Sequence, residues 1–122
     1  ARPGREVWIL YGDGSVGFTL AELDTFARHR IGVIAVVGND ACWSQIAREQ
    51  IEVLGDDTGC ALARTDYHRA AEGLGAEGIV VRERAALLPA LERAREIASS
   101  GRPVLVNAWL GRSSFRKGSI SM

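Results

Sequence analysis

Apolar residues along this chain fall into two kinds of run. Val7 to Tyr11, Val33 to Val37, Ile79 to Val81 and Val104 to Val106 are continuous and rich in β-branched side chains. Unbroken runs of that length predict strands buried on both faces. Between them the apolar positions recur at helical spacing. Thr19-Leu-Ala-Glu22 has the form of a capping box, with Phe18 and Leu23 placed as a hydrophobic staple. It opens a predicted helix to about Arg30 that buries Leu20, Leu23, Phe26 and Ala27, and Gly32 ends it. Ser44 to Leu54 predicts a second helix with Ile46, Ile51 and Leu54 inward. Asp66 is placed to cap a short helix from Tyr67 to Leu74, which Gly75 stops. The longest helix is predicted from Ala85 to Ser100, with Pro89 near its first turn, where a missing N–H costs little. The tail to Met122 is polar and has no clear period.

Strands alternating with helices predict an α/β fold, a parallel sheet with helices on both faces. In open sheets of this kind ligands bind beyond the carboxyl ends of the strands. The first two strands stop abruptly there at short oxygen-bearing side chains, Asp13 and, 26 positions later, Asn39. Neighbouring strands lie about 4.8 Å apart, and two ligands on opposite sides of a magnesium ion about 4.2 Å apart, so the two groups suit one metal. Gly12 and Gly14 allow a tight turn and close approach to the backbone, and Ser15 offers a hydroxyl. A helix starting after this loop favours an anion. An acid beside a phosphate needs a cation between them. A hard divalent cation takes carboxylate, carboxamide and carbonyl oxygen together, which makes Asp13, Asn39 and the Ala41 carbonyl the expected set.

Composition narrows the field. The 122 residues suffice for one domain, and 47% hydrophobic with 25% charged residues is ordinary for a globular segment. Fifteen basic and 15 acidic residues leave no long basic stripe, so nucleic acid is not an expected partner. No apolar run approaches the roughly 20 residues of a membrane helix. Cys42 and Cys60 form no CxxC pair and are read as small, reduced, partly buried residues. A P-loop is absent, and Gly12-Asp-Gly14 lacks the third glycine of a dinucleotide fingerprint. His29 and His68 are expected at the surface or at helix ends. A buried-strand pattern within seven residues of Ala1 suggests a segment of something longer, incomplete at its amino end.

GDGS followed by a strand-terminal Asn resembles the metal–diphosphate motif of thiamine diphosphate enzymes, commonly GDG and then NN. Gly38 stands where the first Asn of the pair is usual; Asn39 matches the second, and Ala41 the position whose carbonyl completes the metal set. Asp66 to Gly75 is similar to the family's short helix after the site. The resemblance covers nearly all of residues 1–122 and points to the carboxyl-terminal part of the diphosphate-binding domain in the acetolactate synthase-like branch. Phe26-Ala-Arg-His29, Val37-Gly-Asn-Asp-Ala41, Gln45 to Gln50, Thr65-Asp-Tyr-His68 and the tail pattern Gly111-Arg112, Phe115-Arg116, Gly118-Ser-Ile120 point to a 2-hydroxyacyl-CoA lyase subgroup, of which Gly38 is a feature.

That resemblance implies thiamine diphosphate held through Mg²⁺ by Asp13, Asn39 and Ala41. Gly12, Gly14, Ser15, Cys42 and Trp43 then lie alongside the cofactor, and Gln45 near the reacting carbon. It implies a carbon–carbon lyase acting on 2-hydroxyacyl-CoA and giving an aldehyde and formyl-CoA, or else an acetolactate-type carboligase acting on a 2-oxo acid. No position here matches the motif of the glutamate that activates the cofactor, which the family supplies from a different domain, normally in a second subunit. The segment alone is therefore expected to be inactive, and the full protein at least dimeric. Arg112, Arg116 and Lys117 are candidates to fold over the site or meet a CoA phosphate. A bacterial protein would be cytoplasmic; animal relatives are held at the endoplasmic reticulum by an amino-terminal anchor. The alternative of another class is a non-catalytic receiver-like or flavodoxin-like module that uses Asp13 for a cation or a phosphate. Such domains want further acids at the strand ends and a Lys near the last strand, and Val104 to Trp109 offers none.

Overall fold

Four strands, Val7–Gly12 (β1), Val33–Asn39 (β2), Glu77–Val81 (β3) and Val104–Trp109 (β4), form one parallel sheet in the order β1-β2-β4-β3. This is the arrangement in a computed structural model, which describes residues 4–111. The helices are Asp13–Val16 (α1), Glu22–Arg28 (α2), Ser44–Leu54 (α3), Tyr67–Gly73 (α4) and Leu87–Ser99 (α5), the last preceded by a 3₁₀ turn at Arg84–Ala86. Alternation along β2 sends Ala35 and Val37 to one face and Ile34 to the other. The first face is covered by Val16, Leu23 and Ala71 from α1, α2 and α4, with Leu105 of β4 beside them. The second is covered by Ala90 and Ala94 of α5 over Ile34, Val104 and Val106. Alanines four positions apart let α5 lie close to the sheet. A fully buried side chain such as Ile34 or Leu105 contributes about 1.5–3 kcal/mol. The expected parallel α/β fold is present, with helices on both faces.

Several local expectations fail. β1 is not buried on both faces: Leu10 is 80% exposed and Val7 and Trp8 are also exposed. Among the described residues β1 pairs with β2 alone, and α5 packs on β2, β3 and β4, leaving Leu10 uncovered. The predicted capping box does not form. The helical path begins earlier, at Asp13, and Ala21 precedes α2 without a side-chain cap. Thr19 instead donates its hydroxyl to the Tyr11 Oη at 3.1 Å. The staple is absent too, since Phe18 is exposed and tilts against Trp43 with ring centroids 6.2 Å apart. In α3 the buried residue is Ala47, which packs with Cys42, Cys60 and the partly buried Trp43, while Ile46, Ile51 and Leu54 are exposed. Asp66 precedes α4 but makes no side-chain cap. α2 ends before Gly32, with His29 at its carboxyl end. The glycine is required because a Cβ there would meet the Ala98 carbonyl oxygen at 1.9 Å.

Candidate functional site

The first two strands do lie side by side. Their register runs from Val7 opposite Val33 to Gly12 opposite Gly38, so Asp13 and Asn39 follow at the same edge of the sheet. β4 continues three residues past Val106, and its Asn107 sits opposite Val37. Asp13, Asn39 and Asn107 are all buried, at 3%, 0% and 0% exposure. Burying such groups is costly unless they are hydrogen-bonded.

Most of their polar atoms are satisfied. The Gly14 N–H donates to Asp13 Oδ1 at 3.1 Å and the Cys42 N–H to Asp13 Oδ2 at 3.2 Å, which ties the loop after β2 to the loop after β1. The Tyr67 hydroxyl donates to the Asp13 carbonyl at 3.0 Å, anchoring the same turn to α4. Asn39 Nδ2 donates to the Thr65 carbonyl at 3.1 Å and to Asn107 Oδ1 at 3.2 Å. Asn39 Oδ1, by contrast, is buried without a hydrogen-bond partner among the described residues. A carboxamide whose nitrogen is fully committed and whose oxygen is bare is what a hard cation requires of a neutral ligand.

Electrostatics agree. Burial pushes the Asp13 carboxyl above the usual carboxylate range, and the nearby Asp40 charge pushes it further, against the lowering effect of the Gly14, Cys42 and Ala41 N–H groups. A divalent cation offsets both causes. Asp40 itself accepts a hydrogen bond from the Ser44 hydroxyl. Ala41 holds a left-handed φ of 59°, uncommon for a residue with a Cβ. Its carbonyl accepts the Leu62 N–H at 2.9 Å, which uses one of its two lone pairs. Among the described residues no three His, Cys, Asp or Glu side chains cluster, so a cation at this edge would need carboxamide and carbonyl oxygens beside the Asp13 carboxylate. The donor chemistry fits Mg²⁺.

A cleft of about 750 Å³ opens at this edge, lined by Gly12, Asp13, Gly14, Ser15, Cys42, Trp43 and Gln45 among others. Seven of the predicted site residues therefore share one cavity, while Asn39 and Ala41 are not among its lining residues. Ser15 Oγ accepts the Gly12 N–H and donates to the Gly12 carbonyl, each at 3.0 Å, so it closes the first turn of α1. The close approach that Gly14 permits is taken by the Trp43 indole: a Cβ on Gly14 would lie 2.6 Å from a ring atom. Gln45 stands in the first turn of α3. His29 is exposed as expected, but His68 is buried, because α4 packs it against β4, with Nδ1 3.4 Å from Asn107 Nδ2. Arg112, Arg116 and Lys117 lie outside the described residues.

Sequence reasoning missed Asn107, His68, Thr65, Tyr67 and Arg64. Arg64 donates to the carbonyls of Asn39 at 2.9 Å and Leu110 at 3.1 Å, joining the ends of β2 and β4. Its guanidinium and that of Arg82 both stack on Trp109, at 5.3 and 4.7 Å. The one available signal was Asn107, a polar residue interrupting a strand pattern.

Fold and site together define an open parallel α/β domain with a cleft beyond the carboxyl ends of its strands. The family described as thiamine pyrophosphate enzyme, C-terminal TPP binding domain, matches residues 1–108, and the chain belongs to it. It is 50% identical over 123 aligned residues to 2-hydroxyacyl-CoA lyase 2 of Danio rerio, covering 99% of this chain and 20% of that protein. It is 40% identical over 109 residues to a probable acetolactate synthase of Mycobacterium bovis, covering 88% of this chain and 19% of that one. Among solved structures, a thiamine diphosphate-dependent 4-hydroxybenzoylformate decarboxylase of Rhodococcus jostii superposes with a TM-score of 0.83. At 24% identity, over 93% of this chain and 21% of that one, the superposition shows the fold. The chain spans about a fifth of the length of the curated relatives it matches. Among the described residues no helix is long and apolar enough to cross a membrane.

Proposed function

We propose that this chain holds the diphosphate of thiamine diphosphate through Mg²⁺, as part of a carbon–carbon lyase that cleaves 2-hydroxyacyl-CoA to an aldehyde and formyl-CoA. The carrying observation is the bare, buried Asn39 Oδ1 at the same sheet edge as the Asp13 carboxylate. Asp13, Asn39 Oδ1 and the free lone pair of the Ala41 carbonyl would hold the metal. Gly14 and Ser15, in the turn that opens α1 and at the rim of the cleft, would lie beside the diphosphate. Cys42, Trp43 and Gln45, which line the same cleft, would border the bound cofactor and substrate, and the Trp43 indole would help to shield them from water. When bound, the cofactor supplies an electron sink for the carbanion that bond cleavage beside a carbonyl leaves. The residues of this chain bind and orient it.

The lyase reading rests on the 50% identity to 2-hydroxyacyl-CoA lyase 2. Acetolactate-type carboligation is the second reading, favoured by the 40% identity to a probable acetolactate synthase. In either case the activating acid comes from another domain, in an assembly of at least two subunits, and this chain alone turns over no substrate. The site is tested by calorimetric titration of thiamine diphosphate with and without Mg²⁺. Asp13→Ala is expected to abolish the metal-dependent part, and unchanged metal dependence would overturn the assignment. Release of formyl-CoA, measured against acetolactate formation on the full-length protein, separates the two reactions.

A further inference from the structure

The orientation of the Asn39 carboxamide needs a cause. The two ends of such a group are nearly isosteric, so its neighbours decide whether oxygen or nitrogen faces a ligand. Here the deciding neighbour is the Thr65 carbonyl, a pure acceptor. It receives Asn39 Nδ2 at 3.1 Å and Asn107 Nδ2, also at 3.1 Å. With its nitrogen so fixed, Asn107 turns Oδ1 toward Asn39, where it accepts the second N–H at 3.2 Å. A flipped Asn39 would set its oxygen against two acceptors, the Thr65 carbonyl and Asn107 Oδ1. Asn107 is itself backed by His68, whose Nδ1 lies 3.4 Å from Asn107 Nδ2 and accepts only with the ring proton on Nε2.

We infer that Asn107 is a positioning residue. It consumes the second N–H of Asn39 and so turns the bare Oδ1 toward the cation, with His68 holding Asn107 in turn. The three side chains are 0%, 0% and 5% exposed, so no bulk water competes for these hydrogen bonds. Partners of this kind behind a metal ligand commonly change metal affinity about 10–100-fold when removed. The inference rests on Asn39 as a metal ligand.

The test is the Mg²⁺ concentration that half-saturates thiamine diphosphate binding, read by calorimetry on the full-length protein without substrate. Asn107→Leu removes the acceptor at similar volume and is expected to raise that concentration about 10–100-fold. Asn107→Thr keeps a hydroxyl that can accept the Asn39 N–H and donate to the Thr65 carbonyl, and is expected to stay within about threefold of the parent, a rescue that a merely structural role would not produce. Should the leucine variant fail to fold, Asn107→Val, which likewise offers no acceptor and matches the threonine variant in shape, carries the same expectation. Equal loss in the threonine and the leucine or valine variants, or no loss in either of the latter, overturns the inference. Asn39→Ala run alongside separates the two claims. Unchanged metal dependence there sinks the metal reading itself, whereas a loss there with none at Asn107 sinks only the role of Asn107.

Discussion

Val33, Ile34, Ala35 and Val37 of β2 are each at most 2% exposed, whereas Val7, Trp8 and Leu10 of β1 are 47%, 39% and 80% exposed. The two segments share composition, direction and register. Their neighbours differ. Among the described residues β2 has a strand on each side and helices over both faces, while β1 has one partner strand and lies outside the cover of α5. At their carboxyl ends the contrast inverts, since Asp13 and Asn39 are far more buried than the apolar Leu10. Apolar character therefore did not decide what is inside. Specific partners keep the polar pair in, and β1 is out because none of the described helices covers it as α5 covers β2.

The strongest way to break this comparison is to truncate both strands. Ile34→Ala is expected to cost about 2–5 kcal/mol in urea denaturation, through lost contacts and the cavity left behind. Leu10→Ala is expected to stay within about 0.5 kcal/mol of the parent, as for other exposed positions. Comparable losses at the two sites would mean that β1 is covered after all.

A second probe sharpens the polar end. The Asp13 carboxyl is raised in the folded state by burial and then by Asp40, so the fold holds that proton more tightly than the unfolded chain does. The resulting stabilisation is fully present below the ordinary aspartate value of 3.8 and is lost as pH rises through the raised folded value. Metal-free stability measured across that window should fall with pH in the parent and lose this component in Asp13→Asn. Mg²⁺ competes with the same proton, so its affinity should rise over the same interval. A metal-free profile identical in parent and variant would remove the electrostatic account.

The smallest effect concerns the loop that joins the two ends. Ala41→Gly relieves a left-handed φ of 59° and is expected to stabilise by about 0.5 kcal/mol, after the added freedom of the unfolded chain is subtracted. A loss of stability would show that the Ala41 methyl group makes a contact worth more than the strain.

Much of this was legible in the residue order. Unbroken β-branched runs separated by helical periodicity carry the parallel α/β reading, because each strand must be covered by the helix that links it to the next. Gly12-Asp-Gly-Ser15 and Asn39 disclosed the site, since short oxygen-bearing residues at strand ends are few and chemically specific. Other features were not legible. The helix predicted from Thr19 missed α1 because Gly12-Asp-Gly14 reads as a breaker, although its backbone closes a helical turn through Ser15. Asn107 and His68 were passed over because their partners lie 39 to 68 positions away along the chain.

Local order thus determined the type of each element and the chemistry at two strand ends, through periodicity and side-chain identity. Only the tertiary structure decided that β4 would enter between β2 and β3, and with that which strand is an edge. It also decided that an asparagine from β4 and the Thr65 carbonyl beside α4 would meet the Asn39 carboxamide. Those outcomes depend on long-range pairing, where the free energy comes from neighbours that no local window of sequence contains.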